Sequence, residues 1–276
     1  MTNNEQQSDY WNGDAGTRWV KFSDRLDAML SPFAEQILDK ANIQPHETIL
    51  DIGCGAGALS LMAARSAKSV LGVDISRPLL ELAKERGRSI ASAVFQHGDA
   101  AVIKLDEKRD VVLSRFGVMF FSDPAKAFMN IAQQVGPSGR LVFACWQSPE
   151  HNAWVRAPLE AAKPFLKHPL PSPEPYAPGP FAFAERHYLE GILQAGGWAD
   201  IEIESWTGDI RMPGDDAHST SNFMMEMGPL SKLMKDQDLD EKRVQSALIE
   251  KLSDAANVDG TVDMQASVWI VKAGLG

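Results

Sequence analysis

Three acids set against a run of glycines are the residues of this chain best suited to chemistry. In Ile49-Leu50-Asp51-Ile52-Gly53-Cys54-Gly55-Ala56-Gly57 an apolar run ends in a glycine bend. Glycines adopt positive φ readily and let a backbone approach a ligand closely. A helix opening at Ala58 would turn unpaired N–H groups toward that ligand. Asp74 follows Gly53 by 21 residues and closes the next apolar run. A carboxylate there can accept from both ribose hydroxyls of an adenosine, the use that adenosine-binding α/β folds make of it. Asp99, in Gln96-His97-Gly98-Asp99-Ala100, closes the third run, where it can accept from an adenine amino group. The spacing predicts a cradle for an adenosine-bearing cofactor.

Two cofactor classes fit that cradle. Gly53-x-Gly55-x-x-Ala58 satisfies the relaxed dinucleotide fingerprint, so an NAD(P)-dependent oxidoreductase is one reading. Three features favour S-adenosylmethionine. Asp51 lies two residues before the first glycine, where it can accept from the ligand's amino-acid end and where a dinucleotide site usually has an apolar residue. Asp99 supplies a second acid, and the residues before position 48 are free to close over the site. A third reading, a non-catalytic adenosylmethionine-binding protein, predicts binding without turnover.

Other candidates follow from position. Arg115, in Ser114-Arg115-Phe116-Gly117, stands at the carboxyl edge of the fourth apolar run, where ligands collect in open α/β sheets. It is either a solvated or ion-paired residue or a contact to the cofactor's methionine end or to a substrate anion. Trp19, with Tyr10 and Trp11, is either one face of a core helix or a lid aromatic whose π face suits a sulfonium. His151, just past the fifth run, is either an exposed loop histidine or a general base for a hydroxyl acceptor. Phe116, Met119, Trp146, Asn152, Trp154 and Phe181 are candidates for the substrate pocket. The Met-rich segment Phe223–Met227 is either the inner face of a helix or an adaptable lid.

The elements that must position these groups alternate. Ile49–Ile52, Ser69–Val73, Val94–Gln96, Val111–Ser114 and Leu141–Cys145 read as buried strands. Between them Ala58–Arg65, Pro78–Ile90 and Pro124–Val135 carry helical spacing. Ser76 and Ser122/Asp123 stand at N-cap positions before prolines that suit a first turn. Apolar strands alternating with helices predict a parallel sheet covered on both faces. Upstream, Trp19, Phe22, Leu26, Met29 and Leu30 mark a helix, and Pro32 is placed to open a second one running to about Ala41. Nine of the sixteen prolines fall between Pro149 and Pro180, which predicts a long irregular connection. A helix from Glu185 to Ala195 and strands at Ile201–Ser205 and Ala266–Val271 follow, the strands separated by a polar, Met-rich helical insertion.

At these residues the chain resembles the class I S-adenosylmethionine-dependent methyltransferases, particularly the branch of ubiquinone and menaquinone biosynthesis. The matching motifs are LDIGCGAG at 50–57, GVDIS at 72–76, GDA at 98–100 and GPSGRLVFACW at 136–146. The resemblance implies a seven-stranded sheet with the last strand antiparallel, and it assigns Gly53, Gly55, Asp74, Asp99 and Ala100 to the cofactor. It covers about residues 45–146 and weakens beyond, so it does not carry the acceptor over.

The bulk numbers bound the rest. A net charge of −10 without basic stripes argues against nucleic acid as a partner. Met1–Ser8 does not read as a signal peptide, and no apolar run spans a bilayer. Cys54 and Cys145 lack neighbours at metal-ligand spacing, so the expectation is a reducing, cytoplasmic setting and no metal. The expected fold is a doubly wound, Rossmann-like α/β sheet of seven strands with insertions after strands five and six. A helical cap is expected over residues 1–47 and a methyltransferase domain over 48–276, the latter with a Pro-rich loop at 147–184 and a helical insertion at 211–262. The expected cofactor contacts are Trp19, Asp51, Gly53, Gly55, Asp74, Ile75, Asp99, Ala100 and Arg115. The expected partner is a small-molecule methyl acceptor. Its identity, the atom methylated and the oligomeric state are left open by the sequence.

Overall fold

A computed structural model of the chain describes residues 3–170 and 174–276; the first two positions of the expected cap and the middle of the expected Pro-rich loop lie outside these. Five strands run parallel: β1 (Thr48–Ile52), β2 (Ser69–Asp74), β3 (Ala93–His97), β4 (Arg109–Arg115) and β5 (Val135–Trp146). With β6 (Trp198–Arg211) and β7 (Asp263–Leu275) they form one sheet ordered β3-β2-β1-β4-β5-β7-β6. The last strand is antiparallel to both its neighbours, as the resemblance implied. β1 and the middle of β4 are buried because helices cover both faces, whereas β6, at the edge, alternates largely between half-buried and exposed residues. The chain reverses its direction of strand addition between β1 and β4, and a crevice opens at the carboxyl ends of strands at such a switch point.

Three helices precede the sheet: α1 (Asn3–Asn12), α2 (Asp14–Lys21) and α3 (Ser23–Ala41). The expectation that Pro32 opens a helix is corrected, since Pro32 lies inside α3. A proline there leaves the Ala28 carbonyl without its intrahelical donor, and the Ser31 hydroxyl supplies a replacement at 2.9 Å. Leu26, Met29, Leu30, Phe33 and Ile37 are buried along the same face of α3, which packs on β4 to β7. Burying five such side chains contributes on the order of 10 kcal/mol, well above the roughly 3 kcal/mol cost of an interior proline. Packing wins. Asn42 ends the helix in the left-handed conformation, and Arg140 of β5 donates to the Ala41 carbonyl at 2.7 Å and to Glu47.

The sheet is flanked by α4 (Ala58–Ala63), α5 (Arg77–Arg86), α6 (Pro124–Gln133), α7 (Ala153–Ala162) and α8 (Arg186–Ala195). The Asp123 carboxylate caps α6 through the Lys126 N–H at 3.2 Å. Ser76 does not cap α5 with its side chain; its hydroxyl donates to the Trp11 carbonyl at 2.8 Å instead. Between β6 and β7 lie α9 (Ala217–Glu226), α10 (Pro229–Asp236) and α11 (Glu241–Asp254). Among the described residues no helix is long and apolar enough to cross a membrane. Both cysteines are buried, unpaired and held protonated by burial.

Candidate active site

The bend after β1 is built from three left-handed glycines, Gly53 (φ +63°), Gly55 (φ +54°) and Gly57 (φ +85°). Gly53 has a second constraint. A Cβ on it would sit 2.7 Å from Cα of Gly117, so the loops leaving β1 and β4 touch backbone to backbone. Phe116 makes this approach possible by taking φ +66°, a conformation costing a non-glycine residue about 1–2 kcal/mol. Its ring is held by parallel stacking on Trp146, with centroids 4.3 Å apart, and by an edge contact with Phe33. Ser114 completes the joint, donating to the Ile52 carbonyl at 2.8 Å while accepting from the Gly117 N–H at 3.1 Å.

Asp74, at the end of β2, organises the other side of the bend. Its carboxylate accepts from the Gly55 N–H at 2.7 Å and from the Ser76 N–H at 2.8 Å. Burial raises its pKa, against the pull of these backbone donors. Asp99 lies beyond β3 and accepts from the Ala101 N–H at 2.9 Å, which fixes the following turn.

Asp51 is fully buried beneath the bend. One of its oxygens accepts from the Ser60 hydroxyl at 2.5 Å; the other has no protein partner among the described residues. Burial pushes its pKa up to about 7, with Ser60 and the charge of Arg115 opposing. Asp51, Arg115 and Asp27 are the charged groups lining a small, otherwise largely apolar cavity of about 60 Å³ between α3 and the glycine bend. Arg115 is ion-paired to Asp27 at 2.6 Å, and Asp27 in turn pairs with Arg86 at 2.8 Å. Arg86 also donates to the Ala56 carbonyl at 3.2 Å, so helix α3 is pinned to the bend by charge.

Next to this lies a cavity of about 560 Å³, within the range of small-molecule sites. Gly53, Gly55, Asp74, Ile75, Asp99, Ala100 and Arg115 form its polar end, with Trp19 against them. Phe116, Met119, Trp146 and Trp154 line the remainder, and the helices between β6 and β7 close it with Phe223, Met224, Met227 and Leu230. Trp11 joins Trp19 and Phe120 in edge-to-face contacts at 5.7 and 5.2 Å. Asn12 fastens α1 to the turn after Asp74: its amide donates to the Ile75 carbonyl and accepts from the Arg77 N–H, both at 2.9 Å. The helix that Ser76 leaves uncapped is thus capped from 65 residues away.

Three expected site residues, the base candidate His151 and the pocket candidates Asn152 and Phe181, are not in the wall. His151 sits on an exposed turn, Pro149–His151, so no base stands there. Asn152 is fully buried and spent on bracing β5 to β7, through the Gln147 carbonyl and both backbone groups of Ser267. Phe181 packs behind Trp154 at 6.3 Å, and Pro180 reaches the cavity instead. Asp51 faces the smaller cavity rather than the larger. Sequence reasoning missed Asn12 and Asp27, whose roles depend on partners 65 and 88 residues distant. It also passed over Gly117, although a glycine directly after a buried strand was a visible signal.

The family profile described as a methyltransferase domain matches residues 50–143, from β1 to the middle of β5. The matched span, residues 50–143, is similar to a methyltransferase domain and contains the glycine bend, Asp74, Asp99, Arg115 and Phe116. The chain is 32% identical over 148 residues to the mitochondrial ubiquinone biosynthesis O-methyltransferase of Schizosaccharomyces pombe, covering 51% of this chain and 52% of that protein. It is 25% identical to the demethylmenaquinone methyltransferase of Staphylococcus epidermidis, over 68% of this chain and 84% of that one. The chain spans about half the length of the first curated relatives it matches. Its fold is shared with magnesium protoporphyrin IX methyltransferase from Synechocystis solved with bound SAH, at a TM-score of 0.57 and 14% identity over 98% of this chain and 99% of that one.

Proposed function

We propose that this chain transfers a methyl group from S-adenosylmethionine to a small-molecule acceptor. The observation that carries the reading is the joining, on one wall of one cavity, of the left-handed glycine bend with the carboxylates of Asp74 and Asp99. Asp74 is the acceptor for the ribose hydroxyls, and Asp99 with Ala100 borders the adenine. The fit of an amino-acid end rests on the charged groups of the small cavity: the unpartnered oxygen of Asp51 suits an ammonium, and Arg115, anchored by Asp27, suits a carboxylate. When bound, the cofactor supplies an electrophilic methyl whose transfer leaves S-adenosylhomocysteine.

The chain's own contribution is alignment and exclusion of water. Among the described residues the cavity wall carries no histidine or cysteine, and its carboxylates are Asp74, Asp99 and Glu226, the last ion-paired to Lys21. Acceleration then comes from holding the acceptor at attack distance in an apolar chamber rather than from proton transfer. Trp19 and Trp11 on the preceding helices, residues 1–47 in this reading, close over the polar end as a lid. The molecule acts in the cytoplasm, without nucleic acid as a partner. Titration calorimetry with S-adenosylmethionine, S-adenosylhomocysteine and NAD tests the reading. Binding of the first two and not the third is expected; tight binding of NAD alone would overturn it in favour of an oxidoreductase.

A further inference from the structure

The lining of the large cavity carries charge beyond the groups assigned to the cofactor. Arg18 of α2 and Lys232 and Lys235 of α10 line it together with Glu226. Lys21, one helical turn beyond Arg18, is ion-paired to Glu226, so that carboxylate is already neutralised. Arg18, Lys232 and Lys235 have no carboxylate within ion-pair distance among the described residues. Lys232 and Lys235 are three residues apart on one helix and therefore share a face. Three cations on the lining of one cavity, without an ion pair among the described residues, run against the charge of a chain whose net is −10. Much of the remaining wall is apolar, with Met212, Phe223, Met224, Met227, Trp146 and Trp154 lining it. Methionine side chains adapt to varied apolar shapes, while a strongly polar molecule would be desolvated there without compensation.

We propose that the acceptor is an amphipathic acid, with an apolar body lying in the chamber and an anionic group (carboxylate, sulfate or phosphate) held by Arg18, Lys232 and Lys235. This rests on the methyltransferase reading only for the statement that the molecule is methylated; recognition of its charge does not depend on the cofactor. Solvent-facing cations act through a screened field, so their effect is moderate and falls with salt.

The test compares two fluorescent probes with the same fused rings, 8-anilinonaphthalene-1-sulfonate and the uncharged N-phenyl-1-naphthylamine. They are titrated into the wild-type chain, the K232Q/K235Q double variant and R18Q. The wild type is expected to favour the sulfonate by about tenfold. The double variant is expected to lose most of that preference with unchanged affinity for the uncharged amine, and added salt to do the same. An equal affinity for both probes in the wild type, or a preference surviving in the double variant, overturns the proposal. Binding of S-adenosylmethionine, measured in parallel on the same samples, separates the two ideas. A chain that prefers the sulfonate through these lysines but binds no cofactor supports the anion site and refutes the methyltransferase reading.

Discussion

Asp74→Asn keeps the shape of the side chain and removes its charge, which makes its consequence calculable. The carboxylate accepts two backbone N–H groups, from Gly55 at 2.7 Å and Ser76 at 2.8 Å. An asparagine offers one oxygen and one NH₂, so in either orientation a donor faces a donor. One backbone N–H loses its partner, at a cost of about 1–3 kcal/mol. For a chain of this size that lowers the melting temperature of the ligand-free protein by roughly 2–4 °C per kcal/mol. The ligand suffers separately. A ribose hydroxyl donating to a carboxylate gains about 1.5–3 kcal/mol, so loss of the charge weakens S-adenosylmethionine by about tenfold to a hundredfold. Calorimetric titration of S-adenosylhomocysteine into both proteins at pH 7.5, with scanning calorimetry of the free forms, reads both effects. Unchanged affinity alongside a lowered melting temperature would refute Asp74 as a ligand group and leave it as a brace for the loop.

Three further outcomes follow from the same geometry. Gly53→Ala meets Cα of Gly117 at 2.7 Å, whereas a Cβ on Gly55 meets nothing within 4 Å. Thermal melts should therefore show G53A much the less stable, with G55A paying only the left-handed backbone cost of about 1–2 kcal/mol yet binding cofactor poorly; equal melting temperatures would contradict the backbone contact. Asn12→Ala removes the cap on Arg77 and the tie to Ile75, about 1 kcal/mol of helix stability, and stopped-flow tryptophan fluorescence should show faster cofactor release from an unfastened lid. Asp51 gives a pH signature: its pKa rises from 3.8 unfolded to about 7 folded, so between those values the native state holds a proton that the unfolded state has lost. Stability then falls as pH rises from about 4 to 7 and levels off above, by an amount on the order of 2–4 kcal/mol. Asp51→Asn should flatten that slope in denaturant titrations and raise stability at pH 8 while weakening cofactor binding; an unaltered slope would exclude Asp51 as its source.

What the sequence made legible was local. Continuous apolar runs with glycine or acid ends marked five strands, because period and punctuation are set by neighbours in the chain. The glycine bend and the acids closing β2 and β3 were readable for the same reason. Pro32 misled because its cost is met by Ser31 and by the packing of α3, neither of which a proline rule includes. His151 and Asn152 misled because residues just past a strand face either the cavity or the brace between β5 and β7, and side-chain direction there depends on Ser267, 115 residues later. The distal wall was the least legible part: its residues lie on helices between β6 and β7 whose relation to β1 is visible only in the folded chain.

The central claim is that one cradle, made by the glycine bend with Asp74 and Asp99, holds an adenosyl ligand. A crystal structure of the chain with S-adenosylhomocysteine tests it most directly. The account predicts ribose hydroxyls on the Asp74 carboxylate, the adenine beside Asp99 and Ala100, and the amino-acid end between Asp51 and Arg115. Density for the ligand elsewhere, with those carboxylates facing only water, would contradict it.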